Sequence, residues 1–230
     1  MHADRLIVAI DTTDAVRAAA LTRAVAPHCG LLKLGLAFFT ANGPAGVCSL
    51  GDALAGRPIF LDLKLHDIPN TVGDAVRAVL PLGPRMLTLH ASGGAAMIAA
   101  ARDAAEAAGE GRPLLLGVTV LTSLGAAALA ATGVAGTPVQ QAVRLGRLAV
   151  EAGADGLVCS AHEVVALRGA LGVGVRLVVP GIRPEGSRAD DQARTMTPRE
   201  ALAAGADWIV VGRPITGAAD PARAAAALFG

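Results

Sequence analysis

Eight short aliphatic runs, each followed by a stretch of helical length, with charged and hydroxyl side chains gathered just past the runs, predict a (β/α)8 barrel. The runs are apolar almost throughout rather than alternating, as parallel strands covered on both faces are. Aromatic residues make up 2% of the chain against 53% apolar residues, so the core must be aliphatic. Eight strand–helix units in 230 residues lie near the small end of the barrel range, with no linker or shift of composition, so one domain over 1–230 is expected. A doubly wound open sheet is the alternative, but the glycine-rich turn it would carry after the first strand is missing.

The first strand is read at 5–10, ending at Asp11, and Thr12-Thr13-Asp14 offers caps for a helix over 14–26. Leu31–Leu34 is the second strand; Gly35 and a looser helical region broken by Gly43-Pro44 and Gly51 follow. The third strand, 58–64, runs into Leu65-His66-Asp67-Ile68-Pro69 and a helix over 70–80, with proline suited to the first turn. Met86–His90 is the fourth, followed by Gly93-Gly94 and an alanine-rich helix to 108. Pro113–Val120 is the fifth, ending at Leu121-Thr122-Ser123; a loop with Gly125, Gly133 and Gly136 precedes a helix over 138–152. The sixth strand is Gly156–Ser160, and a helix follows. Val175–Val179 is the seventh, closed by Pro180-Gly181, and the polar stretch 182–195 reads as a mobile loop. A short helix at 198–204 precedes the eighth strand, Asp207–Val211, which ends at Gly212-Arg213; the last helix starts at Pro214.

Composition narrows the function. A net charge of +1 gives no electrostatic case for nucleic acid or an anionic membrane. Cys29, Cys48 and Cys159 are odd in number and lack metal-ligand spacing, so they read as reduced, buried thiols. No apolar signal core precedes the first strand and no run approaches the ~20 residues of a membrane span, so a cytoplasmic protein is expected.

In a barrel the functional face is the set of loops after the strands. Polar residues collect there: Asp11, Lys33, Asp62, Lys64, Asp67, His90, Thr122, Ser123, Ser160, Arg183, Gln192, Gly212 and Arg213. Asp62 and Lys64 share one strand face, while Leu61, Leu63 and Leu65 take the other. Lys33, Asp62, Lys64 and Asp67 would alternate cation and anion, each neighbouring pair worth roughly 4 kcal/mol at about 4 Å before desolvation. Such an array either closes the barrel mouth as an ion-pair network or keeps a lysine charged in a dry site. Gly212-Arg213-Pro214 opens a helix, where backbone N–H groups and a guanidinium suit a phosphate; a surface ion pair is the alternative for Arg213. Arg183 and Gln192 could close over that phosphate. His90 fits a satisfied core histidine as well as a catalytic one and receives no role. His66 reads as packing or a local hydrogen bond; Trp208 and Cys159 read as core.

Asp62-x-Lys64-x-x-Asp67-Ile68-Pro69-Asn70-Thr71 resembles the signature of the orotidine 5′-phosphate decarboxylases. Ala9-Ile10-Asp11, Lys33, Val120-Leu121-Thr122-Ser123, Pro180-Gly181-Ile182-Arg183-Pro184, Gln192 and Val211-Gly212-Arg213-Pro214-Ile215 match in the same order, from about residue 5 to the C-terminus. DxKxxD alone is shared by related barrel enzymes; the full set is specific. The resemblance implies decarboxylation of orotidine 5′-monophosphate to UMP, the last step of pyrimidine synthesis, with no cofactor and no metal. It makes Lys64 the proton donor to C6, sets Asp62 beside the substrate carboxylate, and completes the array with Lys33 and Asp67. It assigns Asp11 and Lys33 to the ribose hydroxyls, Thr122 and Ser123 to the pyrimidine, and Arg183, Gln192, Gly212 and Arg213 to the phosphate. It further implies a homodimer in which Asp67, Ile68 and Thr71 reach into the partner's site.

Three rivals differ in chemistry. Metal-dependent sugar-phosphate enzymes of the same superfamily share DxKxxD, but resemble enzymes with an acid at the second-strand position, where Lys33 would repel a divalent cation. A barrel that only binds phosphate has no reason to keep a buried lysine between two acids. A Schiff-base aldolase needs a lysine of depressed pKa, whereas carboxylates beside Lys33 and Lys64 favour the charged form.

Overall fold

The computed structural model describes residues 2–184 and 196–229. The expectations for Gln192 and for most of the 182–195 loop fall outside the described residues. Eight strands close into a barrel in chain order: β1 (Leu6–Ile10), β2 (Leu31–Gly35), β3 (Ile59–Leu65), β4 (Met86–His90), β5 (Leu114–Val118), β6 (Gly156–Val158), β7 (Arg176–Val179) and β8 (Trp208–Val211). All neighbours are parallel, and β8 returns to β1 with Ile7 opposite Val210. The helices are α1 (Ala15–Val25), α2 (Leu36–Ser49), α3 (Gly51–Leu54), α4 (Pro69–Val79), α5 (Ala95–Glu106), α6 (Ala126–Ala131), α7 (Pro138–Glu151), α8 (Val164–Leu171), α9 (Pro198–Ala203), α10 (Arg213–Thr216) and α11 (Pro221–Ala226). No described helix is long and apolar enough to cross a membrane.

Strand alternation divides the apolar residues into two cores. Ile7, Ala9, Leu31, Phe60, Met86, Leu116, Val178 and Val210 fill the barrel axis. Their neighbours in sequence, such as Leu6, Val8, Leu32, Leu61, Leu87, Leu115 and Ile209, face the helices. The helices meet that second core with one stripe each: α4 buries Val72, Val76 and Val79 at helical spacing. Each fully buried aliphatic side chain contributes about 1.5–3 kcal/mol. Caps set the helix starts. Asp14 accepts N–H bonds from Val16 and Arg17, and Thr137 with Gln140 forms a capping box.

A four-residue turn recurs at the N-terminal ends of the strands. Ala152-Gly153-Ala154-Asp155 ends α7, and Ala204-Gly205-Ala206-Asp207 ends α9. Both glycines have positive φ, 103° and 112°, and the alanine after each donates its N–H to a carbonyl five residues back, a Schellman stop. Each aspartate then accepts the N–H of the adjoining strand, Leu115 for Asp155 and Leu177 for Asp207, at 2.8 Å. Arg112 makes two further bonds to Asp155, each 2.8 Å, and Arg102 a third at 3.0 Å; Arg168 takes the same place against Asp207.

Several boundaries depart from the sequence expectation. The stretch after Gly125 contains α6, built from Ala126–Ala131, where five of six residues are the best helix former. The looser second helix is two helical segments that meet at a kink, where Gly43 has a non-helical φ of 58° before Pro44. The last helix divides, because Asp220 caps a new start at α11. Cys48 is exposed rather than buried, and Trp208 is half-buried at the foot of β8, with the Arg176 guanidinium 6.0 Å from its ring centroid.

Burial pushes the Asp155 carboxyl up, but bonds from Arg112 and Leu115 and the charges of Arg112 and Arg102 outweigh it and hold the group below its ordinary value. Because the folded carboxyl titrates below the unfolded one, its stabilisation is present above pH ~4 and is lost as pH falls through the folded value. Asp155→Asn should therefore cost about 2–3 kcal/mol at neutral pH, read by denaturant unfolding, and should flatten the loss of stability below pH ~4. An unchanged acid limb would show that the carboxylate is not what ties β5 to β6.

Candidate active site

The site is the next layer of the barrel. Moving one inward position toward the C-terminal end of each strand leads from the axial core to Asp11, Lys33, Asp62, Thr88, Val118, Ser160, Pro180 and Gly212. Aliphatic packing below gives way to charge on three adjacent strands, β1 to β3, and to the Thr88 hydroxyl on β4. Lys33 on β2 places its Nζ 3.3 Å from Asp11 Oδ1 and 3.2 Å from Asp62 Oδ2. Lys64 Nζ donates to the other Asp62 oxygen, Oδ1, at 2.7 Å. The array within one chain is thus Asp11–Lys33–Asp62–Lys64, two anions and two cations in alternation.

Asp67 does not complete this array in its own chain, unlike the reading from spacing alone; the resemblance assigns it to the partner's site instead. It is exposed beyond the end of β3, where its Oδ1 accepts the N–H of Ile68 at 2.6 Å, and it makes no ion pair among the described residues. The turn into α4 carries it away from Lys64, and Asp11 occupies the fourth place. Ile68 and Thr71 are likewise exposed, Ile68 by 66%.

Electrostatics follow the burial. Lys33 is 8% exposed; burial would lower its pKa, but Asp62 and Asp11 outweigh that and hold it above its ordinary value. Burial would raise Asp62, but Lys33, Lys64 and the hydrogen bonds from Lys64 and Thr88 outweigh it and hold the carboxyl below its usual range. Both groups are therefore charged at neutral pH. His90 is pushed down by burial, then by His66 and Lys64, against Asp62, so its ring is neutral there. Its ring centroid lies 5.2 Å from that of His66, which is itself exposed. Cys159, fully buried, has its thiol pushed well up by desolvation, and Cys29 is pushed up to about 11 in the same way.

A cavity of about 160 Å³ opens over the array. Lys33, Asp62 and Lys64 stand on one side, with Thr122, Phe60, Val118, Val120, Val158 and Pro180 completing the wall. Ser123 is exposed on the loop beyond and does not line it. Arg183 is half-buried after β7, and Arg213 is exposed at the start of α10. That helix is a single turn with proline second, so it brings little aligned dipole, and a phosphate there would rest on guanidinium groups. A larger cleft, about 900 Å³, lined by Arg5, Arg199, Leu202 and Phe229, contains none of the predicted residues.

Two residues of the site were missed in sequence. Thr88, fully buried, donates to Asp62 Oδ1 at 3.0 Å; its signal was a hydroxyl at an inward position of an apolar strand. Gly35 is the other. A Cβ there would lie 3.1 Å from Lys33 Nζ and 3.4 Å from Asp11 Oδ1, so glycine leaves room for that pair to meet.

The ion pairs share one carboxylate, which makes their energies interdependent. Lys33→Met should cost about 3 kcal/mol by leaving Asp62 and Asp11 under-compensated, whereas Lys33→Met with Asp62→Asn should cost less than the sum of the single changes. Denaturant unfolding of the four proteins checks this, and simple additivity would mean that Lys33 and Asp62 do not interact.

Comparison with known proteins agrees with the geometry. The chain is 56% identical over 225 residues to the orotidine 5′-phosphate decarboxylase of Anaeromyxobacter dehalogenans, covering 98% of this chain and 96% of that one. It is 54% identical to the enzyme of that name from Gluconobacter oxydans, over 98% and 95% of the two chains. The crystal structure of orotidine 5′-phosphate decarboxylase from Lactobacillus acidophilus superposes with a TM-score of 0.85 at 37% identity, covering 97% of this chain and 96% of that one. With the family model matched from residue 4 to residue 228, this barrel belongs to the orotidine 5′-phosphate decarboxylase / HUMPS family.

Proposed function

We propose that this protein, acting as one barrel domain in the cytoplasm, decarboxylates orotidine 5′-monophosphate to UMP and carbon dioxide without metal or cofactor, as the last step of pyrimidine synthesis. The observation that carries the reading is Lys64: its ammonium lies 2.7 Å from Asp62 at the wall of a largely apolar cavity, with Lys33 bracing the far side of the same carboxylate.

The chemistry asks for such an arrangement. When the bond between C6 and the carboxyl group breaks, carbon dioxide leaves and the electron pair stays on C6 in the plane of the ring, where no neighbouring carbonyl can delocalise it. A cation fixed at that point, in a site of low dielectric, is the remaining means of stabilisation. Lys64 takes this role and then transfers its proton to C6, giving UMP; water returns a proton to the amine. Asp62 sits beside the departing carboxylate and keeps Lys64 in place. Because the ammonium acts where charge develops, it raises turnover more than affinity.

The rest of the substrate is held by parts farther out. Asp11 and Lys33 take the ribose hydroxyls, and Thr122 and Ser123 address the pyrimidine edge. Arg183, Gln192, Gly212 and Arg213 hold the phosphate, whose binding energy is available to exclude water around Lys64. Asp67, Ile68 and Thr71, exposed at the lip, serve the site of a second copy in a homodimer. The metal-dependent sugar-phosphate reading is less well supported: Lys33 projects its ammonium between Asp11 and Asp62, where a divalent cation would be repelled.

An ultraviolet assay of orotidine 5′-monophosphate consumption tests the reading. Turnover should be unchanged by a chelator, and Lys64→Ala should abolish it, by at least ~10⁴-fold, while UMP still binds. Near-normal activity in Lys64→Ala would refute the assigned role, and loss of wild-type activity on chelation would favour the metal-dependent alternative.

A further inference from the structure

The ladder between β3 and β4 opens at Lys64. Leu61 lies opposite Leu87 and Leu65 opposite Leu89, so Asp62, Leu63 and Lys64 together face one residue of β4, Thr88. Lys64 adopts a φ of 50°, a left-handed conformation unusual for a residue with a side chain. A bulge of this kind withdraws a backbone N–H from its neighbour, and a buried N–H without an acceptor is costly. Here the Lys64 N–H donates to Thr88 Oγ1 at 2.9 Å. The same hydroxyl spends its single proton on Asp62 Oδ1 at 3.0 Å. Thr88 is 0% exposed and does not line the cavity, so it touches both charged residues from behind.

We propose that Thr88 is a positioning residue for the reaction: its hydroxyl holds the bulge that aims Lys64 into the cavity and fixes the carboxylate to which the Lys64 ammonium is bound. The proposal rests on the decarboxylase reading. It does not rest on burial alone, since valine would fill the same volume and leave both bonds unmade. Thr88 is a different strand's contribution to the site, and it acts on two groups at once, on the backbone of one and the side chain of the other. Its loss should fall on the chemical step. Asp11, Lys33 and the phosphate-binding arginines would keep their places, so substrate affinity should change little.

Thr88→Val and Thr88→Ser separate the hydroxyl from the shape. Thr88→Val should lower kcat by about 10- to 100-fold, the effect of removing a hydrogen bond to a charged group, with KM and UMP affinity within about threefold of wild type. Asp62 would lose a donor to its charged form, so the acid limb of the kcat profile should move to higher pH. Thr88→Ser should restore kcat to within about threefold of wild type and return the pH profile. If Thr88→Val does not fold, Thr88→Cys against Thr88→Ser asks the same question, because a thiol donates weakly. The proposal is overturned if Thr88→Val matches wild type in kcat and pH profile, if the change falls on KM instead, or if Ser is no better than Val or Cys. A wild-type protein that releases no carbon dioxide from orotidine 5′-monophosphate would instead sink the functional reading, whatever the Thr88 variants do.

Discussion

The Asp62 carboxylate, fixed from three sides, is the interaction on which the barrel mouth depends. Lys64 and Thr88 bond to one oxygen and Lys33 faces the other. Take the carboxylate away and two ammonium groups would share a confined space with only Asp11, at the edge, to oppose them. Coulomb repulsion would then compete with closure of the sheet between β2 and β3. With it in place the four charges cancel, and a cluster too costly to bury as single ions becomes compatible with an aliphatic barrel. The four charged groups come from β1, β2 and β3 and Thr88 from β4, so the Coulomb balance lies on one half of the barrel. The other half supplies Val118, Val158 and Pro180, which keep the dielectric low where the charges act.

The two ends of the barrel use charge for opposite purposes. At the N-terminal ends of the strands, Asp155 and Asp207 are saturated by arginines and strand N–H groups, and nothing about them is available to a ligand. They finish two Schellman stops and hold β5 to β6 and β7 to β8. At the C-terminal ends the charges are also paired, but Lys64 keeps 27% of its side chain accessible, and it lines the cavity. A barrel whose lower rim is held in this way can tolerate an upper rim chosen for chemistry rather than for packing.

Much of this was legible in the sequence because parity in a strand is strict. The aliphatic runs gave the strands, and the inward positions Asp11, Lys33, Asp62 and Gly212 stood out against them, all four falling in the layer above the axial core. What period-two reasoning could not show was the interruption at Lys64, since a bulge depends on the neighbouring strand as well as on its own residues. Thr88 was invisible for the same reason: a threonine in a strand is ordinary until its partner is known. Asp67 was placed in the array by spacing along the chain, yet the strand ends at Leu65 and the turn that follows sets Asp67 outside. The five alanines and one leucine of α6 favour a helix, but the glycines on either side of them mask that propensity in the sequence.

Lys64 also shows a conflict between what the backbone prefers and what the site requires. At a φ of 50° glycine would be the unstrained choice, and a side chain there costs of order 1 kcal/mol. Glycine would remove the ammonium together with the strain. Straightening the strand instead would restore an ordinary backbone but turn the side chain toward a different direction, and Asp62 would lose its second cation. The strain is therefore tied to the residue type that the proposed chemistry requires, and it persists because its surroundings over-determine it: Leu61 and Leu65 are paired on either side, Thr88 receives the displaced N–H, and Asp62 binds the ammonium. Strain held by so many contacts is preorganisation. Under the proposed reaction the ammonium would not have to move as negative charge develops beside it, so little reorganisation would be left to the chemical step.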